Sequence, residues 1–197
     1  MVWTPKIECP PTRRASLSLK FKEHQMIELT PEVILMSKAK RFALQAHGDQ
    51  KYAGHPYSYH LEQVVANVMI RKKDDPLLST YVAVAWLHDT MEDCGVTFKQ
   101  IQDEFGLAIA DSVQRLTKTK EMQYEHYLAG CIVSAVAREV KICDTMANLA
   151  QSFQSCGSAN PAERAKGEKG MKKYPKQLQI LVAGVWAGEL LFNKGEE

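Results

Sequence analysis

Tyr81-Val82-Ala83-Val84-Ala85-Trp86-Leu87-His88-Asp89-Thr90-Met91-Glu92-Asp93 is the stretch that decides how this chain is read. An apolar run from Tyr81 to Leu87 ends in an imidazole and a carboxylate side by side. Two further carboxylates, Glu92 and Asp93, follow one helical turn later. An apolar helix that ends in this way holds ligand-type groups close to a buried face. Such groups are costly there unless they bind a metal or pair with one another. Metal chemistry is therefore the first hypothesis.

Working outward, helical signals dominate. Thr30-Pro31-Glu32 combines an N-cap threonine, a proline at the first helical position and an early acid. Leu35, Ala39, Phe42, Ala43 and Ala46 then recur at helical spacing. Gly48 to Tyr59 reads as a loop. A second helix carries Leu61, Val64, Val65, Val68 and Met69 on one face, and Asp75-Pro76 opens a third that ends near His88-Asp89. Thr97 and Gln100 form a capping-box pattern, flanked by Val96 and Ile101 at staple spacing, and Gly106 is placed to stop that short helix. Leu107, Ala110, Val113 and Leu116 continue a helical period. Two more helices are predicted over Glu121–Ser134 and Val136–Ser152, a loop over Gln154–Pro161, and a closing helix over Lys176–Asn193. No run alternates for long with period two, and no glycine-rich phosphate loop follows a strand. The expected fold is all-α, with residues 1–29 as an N-terminal tail or packing arm and 30–197 as one domain.

Bulk properties narrow the function. The 197 residues suit one domain with a sizeable core, and the apolar (45%) and charged (24%) shares are those of a soluble globular protein. A net charge of +2 gives no global field toward nucleic acid or an anionic membrane, so neither is an expected partner. The five cysteines show no CxxC or framework spacing, which fits reduced thiols and a cytoplasmic location. No apolar stretch approaches the ~20 residues of a membrane helix.

The groups that could carry chemistry are few. His60 opens the second helix. Asp144 lies within the apolar segment Val140-Lys141-Ile142-Cys143-Asp144-Thr145-Met146-Ala147-Asn148. With His88 and Asp89 they offer mixed nitrogen and oxygen ligation, suited to a divalent ion with positions open for water or a phosphate oxygen. Glu92 and Asp93 each stand four residues past a candidate ligand, where a carboxylate can take a proton from an attacking water. Asn148, one turn after Asp144, can hold a water or a ribose hydroxyl. Spacing alone leaves simpler alternatives open: His60 as a cap, Asp144 paired with Lys141, and Glu92-Asp93 in a solvated loop.

Together these segments resemble the HD superfamily of metal-dependent phosphohydrolases, and within it the RelA/SpoT-type hydrolase domain. The resemblance rests on Ala46-His47-Gly48-Asp49-Gln50, Gly54-His55-Pro56-Tyr57-Ser58-Tyr59-His60, Leu87 to Asp93 followed by Val96-Thr97, Leu116-Thr117-Lys118, and Lys141 to Asn148. It covers residues 30–155, in order, and members of similar size are stand-alone alarmone hydrolases without a synthetase domain. It implies an HD-domain helical bundle. His60, His88, Asp89 and Asp144 match the metal ligands, with Mn²⁺ the usual ion. Glu92 and Asp93 match the acidic catalytic pair, and Asn148 a residue near substrate and water. The reaction implied is hydrolysis of the 3′-pyrophosphate of (p)ppGpp to GDP or GTP plus pyrophosphate, a reaction of the stringent response.

The chain departs from the pattern at two places. The family's basic Arg-Lys pair before Gly-x-Pro-Tyr is reduced to Lys51-Tyr52-Ala53 in a loop one residue shorter, and Thr145 and Ala147 stand where arginine and histidine are usual. Lys51, Tyr52, Lys141, Lys173 and Tyr174 are the candidate substrate-binding residues. The basic stretch Arg164–Lys176 reads either as a polyphosphate-binding face or as a solvated helix surface. The alternatives to (p)ppGpp are another nucleotide phosphate, such as a nucleoside monophosphate or NADPH, and a non-catalytic nucleotide-binding module.

Overall fold

The computed structural model describes residues 29–184. The N-terminal arm and Trp186 lie outside that range, as does the end of the expected closing helix. Nine helices and one short hairpin make up the described residues: α1 (Pro31–His47), β1 (Lys51–Tyr52), β2 (His55–Pro56), α2 (Ser58–Arg71), α3 (Leu78–Leu87), α4 (Thr90–Asp93), α5 (Phe98–Phe105), α6 (Leu107–Leu116), α7 (Tyr124–Ile132), α8 (Ala135–Cys156) and α9 (Pro161–Ala183).

α3 is the axis of the bundle. Every residue from Tyr81 to Leu87 is buried, so this helix has no solvent face. α1, α2, α6 and α8 pack around it. α1 contributes Ala39 and Ala43, α2 contributes Leu61, Val64 and Val68, and α8 contributes Val140 and Cys143, all fully buried. Trp86 belongs to this core. The four described cysteines are free thiols.

Local signals set several boundaries as expected. Thr30 caps α1 by accepting from the Val33 N–H, with Pro31 at the first position. Thr97 and Gln100 form the complete capping box at α5, and Gly106 ends that helix at φ +86°. Other boundaries differ. The loop expected over 48–59 contains an antiparallel hairpin pairing Lys51 with Pro56 and Tyr52 with His55. Its turn is Ala53-Gly54, both at positive φ (49° and 84°), as a two-residue hairpin turn requires. α7 begins at Tyr124 rather than near Glu121, and α8 runs on to Cys156.

The largest difference is α9, which begins at Pro161, well before the expected Lys176. Asn160 caps it through the Ala162 N–H. Gly167, Gly170 and the interior Pro175 weigh against a helix on local propensity. Packing decides otherwise. α9 lies along α8 so closely that a Cβ at Gly167 would sit 2.7 Å from the backbone N of Cys156 and 2.7 Å from the Ser152 carbonyl oxygen.

Candidate metal centre and active site

Four side chains from two helices and one helix junction converge at the end of α3. His60 projects from the first turn of α2, His88 and Asp89 from the break between α3 and α4, and Asp144 from the middle of α8. His60, His88 and Asp144 are each at least 94% buried. One donor atom from each of these three lies within 4.8 Å of the others. His60 Nε2 is 3.2 Å from Asp144 Oδ1 and 3.7 Å from Asp89 Oδ2. His88 Nε2 is 2.9 Å from Asp89 Oδ2 and 3.9 Å from Asp144 Oδ1. Donors held at about 2.1 Å from one ion sit roughly 3–4 Å apart, so these separations suit a shared divalent cation.

The hydrogen bonding of His88 sharpens the point. Its Nδ1 lies 2.8 Å from the Ala85 carbonyl oxygen, which can only accept, so Nδ1 carries the proton and donates. When neutral, His88 presents its Nε2 lone pair to the carboxylates, and when protonated it presents an N–H there. That atom is buried and has no aligned hydrogen-bond partner among the described residues. An acceptor lone pair facing two carboxylates is satisfied by a proton or by a cation. A backbone-anchored imidazole beside carboxylates is also the way metal-ligating histidines are oriented. Burial alone would lower the His88 pKa, but Asp89 and Asp144 outweigh it and raise it to about 9. Burial would raise Asp144, yet Lys141 and the two imidazoles hold it well below the ordinary carboxylate range.

A second layer fixes these ligands. Tyr57 donates its hydroxyl to Asp89 Oδ2 at 2.6 Å, and Asn148 donates to Asp144 Oδ1 at 2.5 Å. Tyr52 in turn donates to Asn148 Oδ1 at 2.8 Å, which ties the hairpin to α8. Lys141 Nζ meets Asp144 Oδ2 at 2.8 Å. The simple ion pair that spacing allowed thus exists on one oxygen of Asp144, while the other faces the histidines.

A cavity of about 200 Å³ opens above the cluster, lined by Asp89, Asp144, Glu92, Asn148, Lys141 and Lys173 among others. Glu92 accepts the Lys118 backbone N–H at 2.8 Å, and burial raises its pKa above the ordinary value. Asp93 turns aside and accepts from Gln50 at 2.9 Å, and Gln50 also contacts His47. Tyr52, Lys173 and Tyr174 line the cavity. Lys51 is exposed on β1 and lines neither this cavity nor the groove beside it.

Three contributors carried little or no signal in the sequence. Tyr57 is legible only as part of Pro56-Tyr57. Lys118 acts through its backbone. Gln177, buried on α9, donates to Thr145 Oγ1 at 2.9 Å and accepts from the Tyr124 hydroxyl at 2.5 Å. It binds α9 to α8 beside Asp144, through Thr145.

No protein-family model matches the chain. Over 89 residues, 45% of the chain and 11% of the relative, it is 39% identical to a GTP pyrophosphokinase rsh of Brucella ovis. Over 91 residues, 46% of the chain and 12% of the relative, it is 32% identical to a guanosine-3′,5′-bis(diphosphate) 3′-pyrophosphohydrolase of Aquifex aeolicus. A solved structure described as a metazoan ortholog of SpoT that hydrolyzes ppGpp superposes with a TM-score of 0.60. It is 18% identical and the match covers 85% of this chain and 98% of that one. In sequence the chain is similar to Rsh and 3′-pyrophosphohydrolase relatives, and its fold is that of the SpoT ortholog. It spans about a tenth of the length of the curated relatives it matches. The buried His60-His88-Asp144 cluster fits a divalent metal. No described helix is long and apolar enough to cross a membrane.

Proposed function

We propose that this chain is a metal-dependent (p)ppGpp 3′-pyrophosphohydrolase, with His60, His88, Asp89 and Asp144 holding Mn²⁺. The observation that carries this reading is the orphaned Nε2 of His88, buried against two carboxylates below a cavity lined by Glu92, two amides and three lysines. The name of the relative from Aquifex aeolicus supplies the substrate class.

When bound, the ion would polarise a phosphoryl oxygen and lower the pKa of water. The remaining work falls to side chains. Glu92, held by the Lys118 N–H, takes a proton from the attacking water. The water oxygen bonds to the phosphorus attached to O3′, the O3′–P bond breaks, and O3′ is protonated as pyrophosphate leaves. Asn148 bridges Tyr52 and Asp144 and orients water or the ribose at the cavity floor. Lys141 and Lys173 offset the charge that develops on the phosphoryl oxygens. Asp93 acts at one remove, through Gln50.

A second reading, hydrolysis of another nucleotide phosphate, is favoured by one observation. Lys51 lines neither cavity, and Thr145 binds Gln177 rather than offering a cation. The test is incubation of Mn²⁺-loaded protein with ppGpp, NADPH and nucleoside monophosphates, with phosphorus products identified by NMR. Pyrophosphate from ppGpp supports the first reading. Orthophosphate from NADPH or a monophosphate, with ppGpp untouched, supports the second.

A further inference from the structure

The cavity above the metal centre opens into a larger groove of about 590 Å³ between α8 and α9. Tyr52, Asn148, Lys173 and Tyr174 line both, so the two spaces are continuous. α9 presents Lys166, Lys169 and Lys173 to the groove, at i, i+3 and i+7 on one helix face. Seven residues of helix rise about 10 Å, so the cations form a line leading away from the ligands. The facing wall of α8 is polar and uncharged, through Gln151, Ser152 and Ser155. Glu163, at the outer end, is engaged by the Ser158 hydroxyl at 2.6 Å. None of the three lysines has a carboxylate within ion-pair distance among the described residues. The line is held close to α8, because Gly167 packs against the α8 backbone and Gly170 against the Ser152 side chain.

A row of cations without carboxylate partners, running out of the candidate active site, favours an anion along its length. Lys173 belongs to the inner cavity, beside the reacting group. Lys169 and Lys166 line the groove but not the inner cavity, a placement that suits a second phosphorylated end of the substrate. We infer that Lys169 and Lys166 bind the 5′-phosphates of a nucleotide whose 3′ end reacts at the metal, so the enzyme selects nucleotides phosphorylated at both ends. Lys166, the outermost, is placed to distinguish a 5′-triphosphate from a 5′-diphosphate. This rests on the function proposed above and adds a specificity subsite to it.

The test compares wild type with the Lys166→Gln/Lys169→Gln double variant, both Mn²⁺-loaded, on ppGpp and on guanosine 3′-pyrophosphate, which lacks 5′-phosphates. Both lysines are exposed, so the urea midpoint should not move. The expected result is a KM for ppGpp raised roughly tenfold, with kcat within about twofold and both constants for guanosine 3′-pyrophosphate unchanged. The single variant Lys166→Gln should weaken pppGpp more than ppGpp. Equal KM for ppGpp in wild type and double variant would overturn the inference, and so would an equal rise for both substrates. If wild type releases no pyrophosphate from ppGpp, the proposed function fails. Calorimetric binding of GDP to the two proteins then judges the lysine row by itself: weaker binding by the double variant supports it, and equal binding removes it.

Discussion

Alanine substitution at two helical glycines should change stability in opposite directions. Gly130 lies in α7, and a Cβ there would meet nothing within 4 Å. Gly130→Ala should therefore gain only helix propensity, about 0.5–1 kcal/mol. Gly167 lies in α9, and its Cβ would approach the Cys156 N and Ser152 O atoms at 2.7 Å and the Ser155 carbonyl carbon at 3.0 Å. All three are backbone atoms of α8 and cannot rotate away, so α9 must shift outward. Overpacking of this kind costs about 1–3 kcal/mol, and the propensity gain offsets only part of it. The expected net loss is about 1–2 kcal/mol, so the two variants should differ by roughly 2–3 kcal/mol. Urea denaturation of the full chain, followed by circular dichroism, measures both as shifts in midpoint at constant slope. Because α9 carries Lys173, Tyr174 and Gln177, Gly167→Ala should also raise KM, whereas Gly130→Ala should not. A Gly167→Ala protein as stable as wild type would refute the close α8–α9 packing, and with it the placement of the lysine row.

Asp89→Ala should lose bound metal and activity together, while Glu92→Gln should keep the metal and lose about 10²–10⁴ in kcat; metal analysis beside turnover separates the two roles. Tyr57→Phe removes the 2.6 Å hydrogen bond to Asp89 and should weaken metal affinity about 10–100-fold, read by competition with a chelating dye. The raised pKa of His88, about 9, means that metal must displace a proton from the apo site at neutral pH. Apparent affinity should therefore rise with pH until it passes that value, with about one proton released per ion, and calorimetry in two buffers of different ionisation enthalpy counts it. Ala53 holds a left-handed conformation at φ 49°, so Ala53→Asn should stabilise the hairpin by up to about 1 kcal/mol in a thermal melt.

The central helix and the candidate metal ligands were legible because they rest on local chemistry. Tyr81–Leu87 is apolar on every side, which only a buried helix tolerates. His88, Asp89, Asp144 and His60 are polar groups that an apolar context makes expensive. The capping box at Thr97 and the Thr30-Pro31 start were likewise read from residues within one turn. The start of α9 was not legible. Its glycines, lysines and Pro175 speak against a helix one residue at a time, and only contact with α8 reverses that sum. Gln177 and the Lys118 backbone were hidden for the same reason, since each acts on a residue distant in the chain.

By itself, then, the sequence determined which side chains could bind a cation and which helix would be buried around them. Those facts follow from residue type and from spacing within a few turns. The tertiary structure decided which oxygen of Asp144 faces the histidines and which is taken by Lys141. It left His88 Nε2 without a partner and took Lys51 out of the site. It also set three lysines of α9 along a groove that begins at the metal. These depend on the distance and angle between helices, which glycine contacts and buried hydrogen bonds fix and no local pattern encodes.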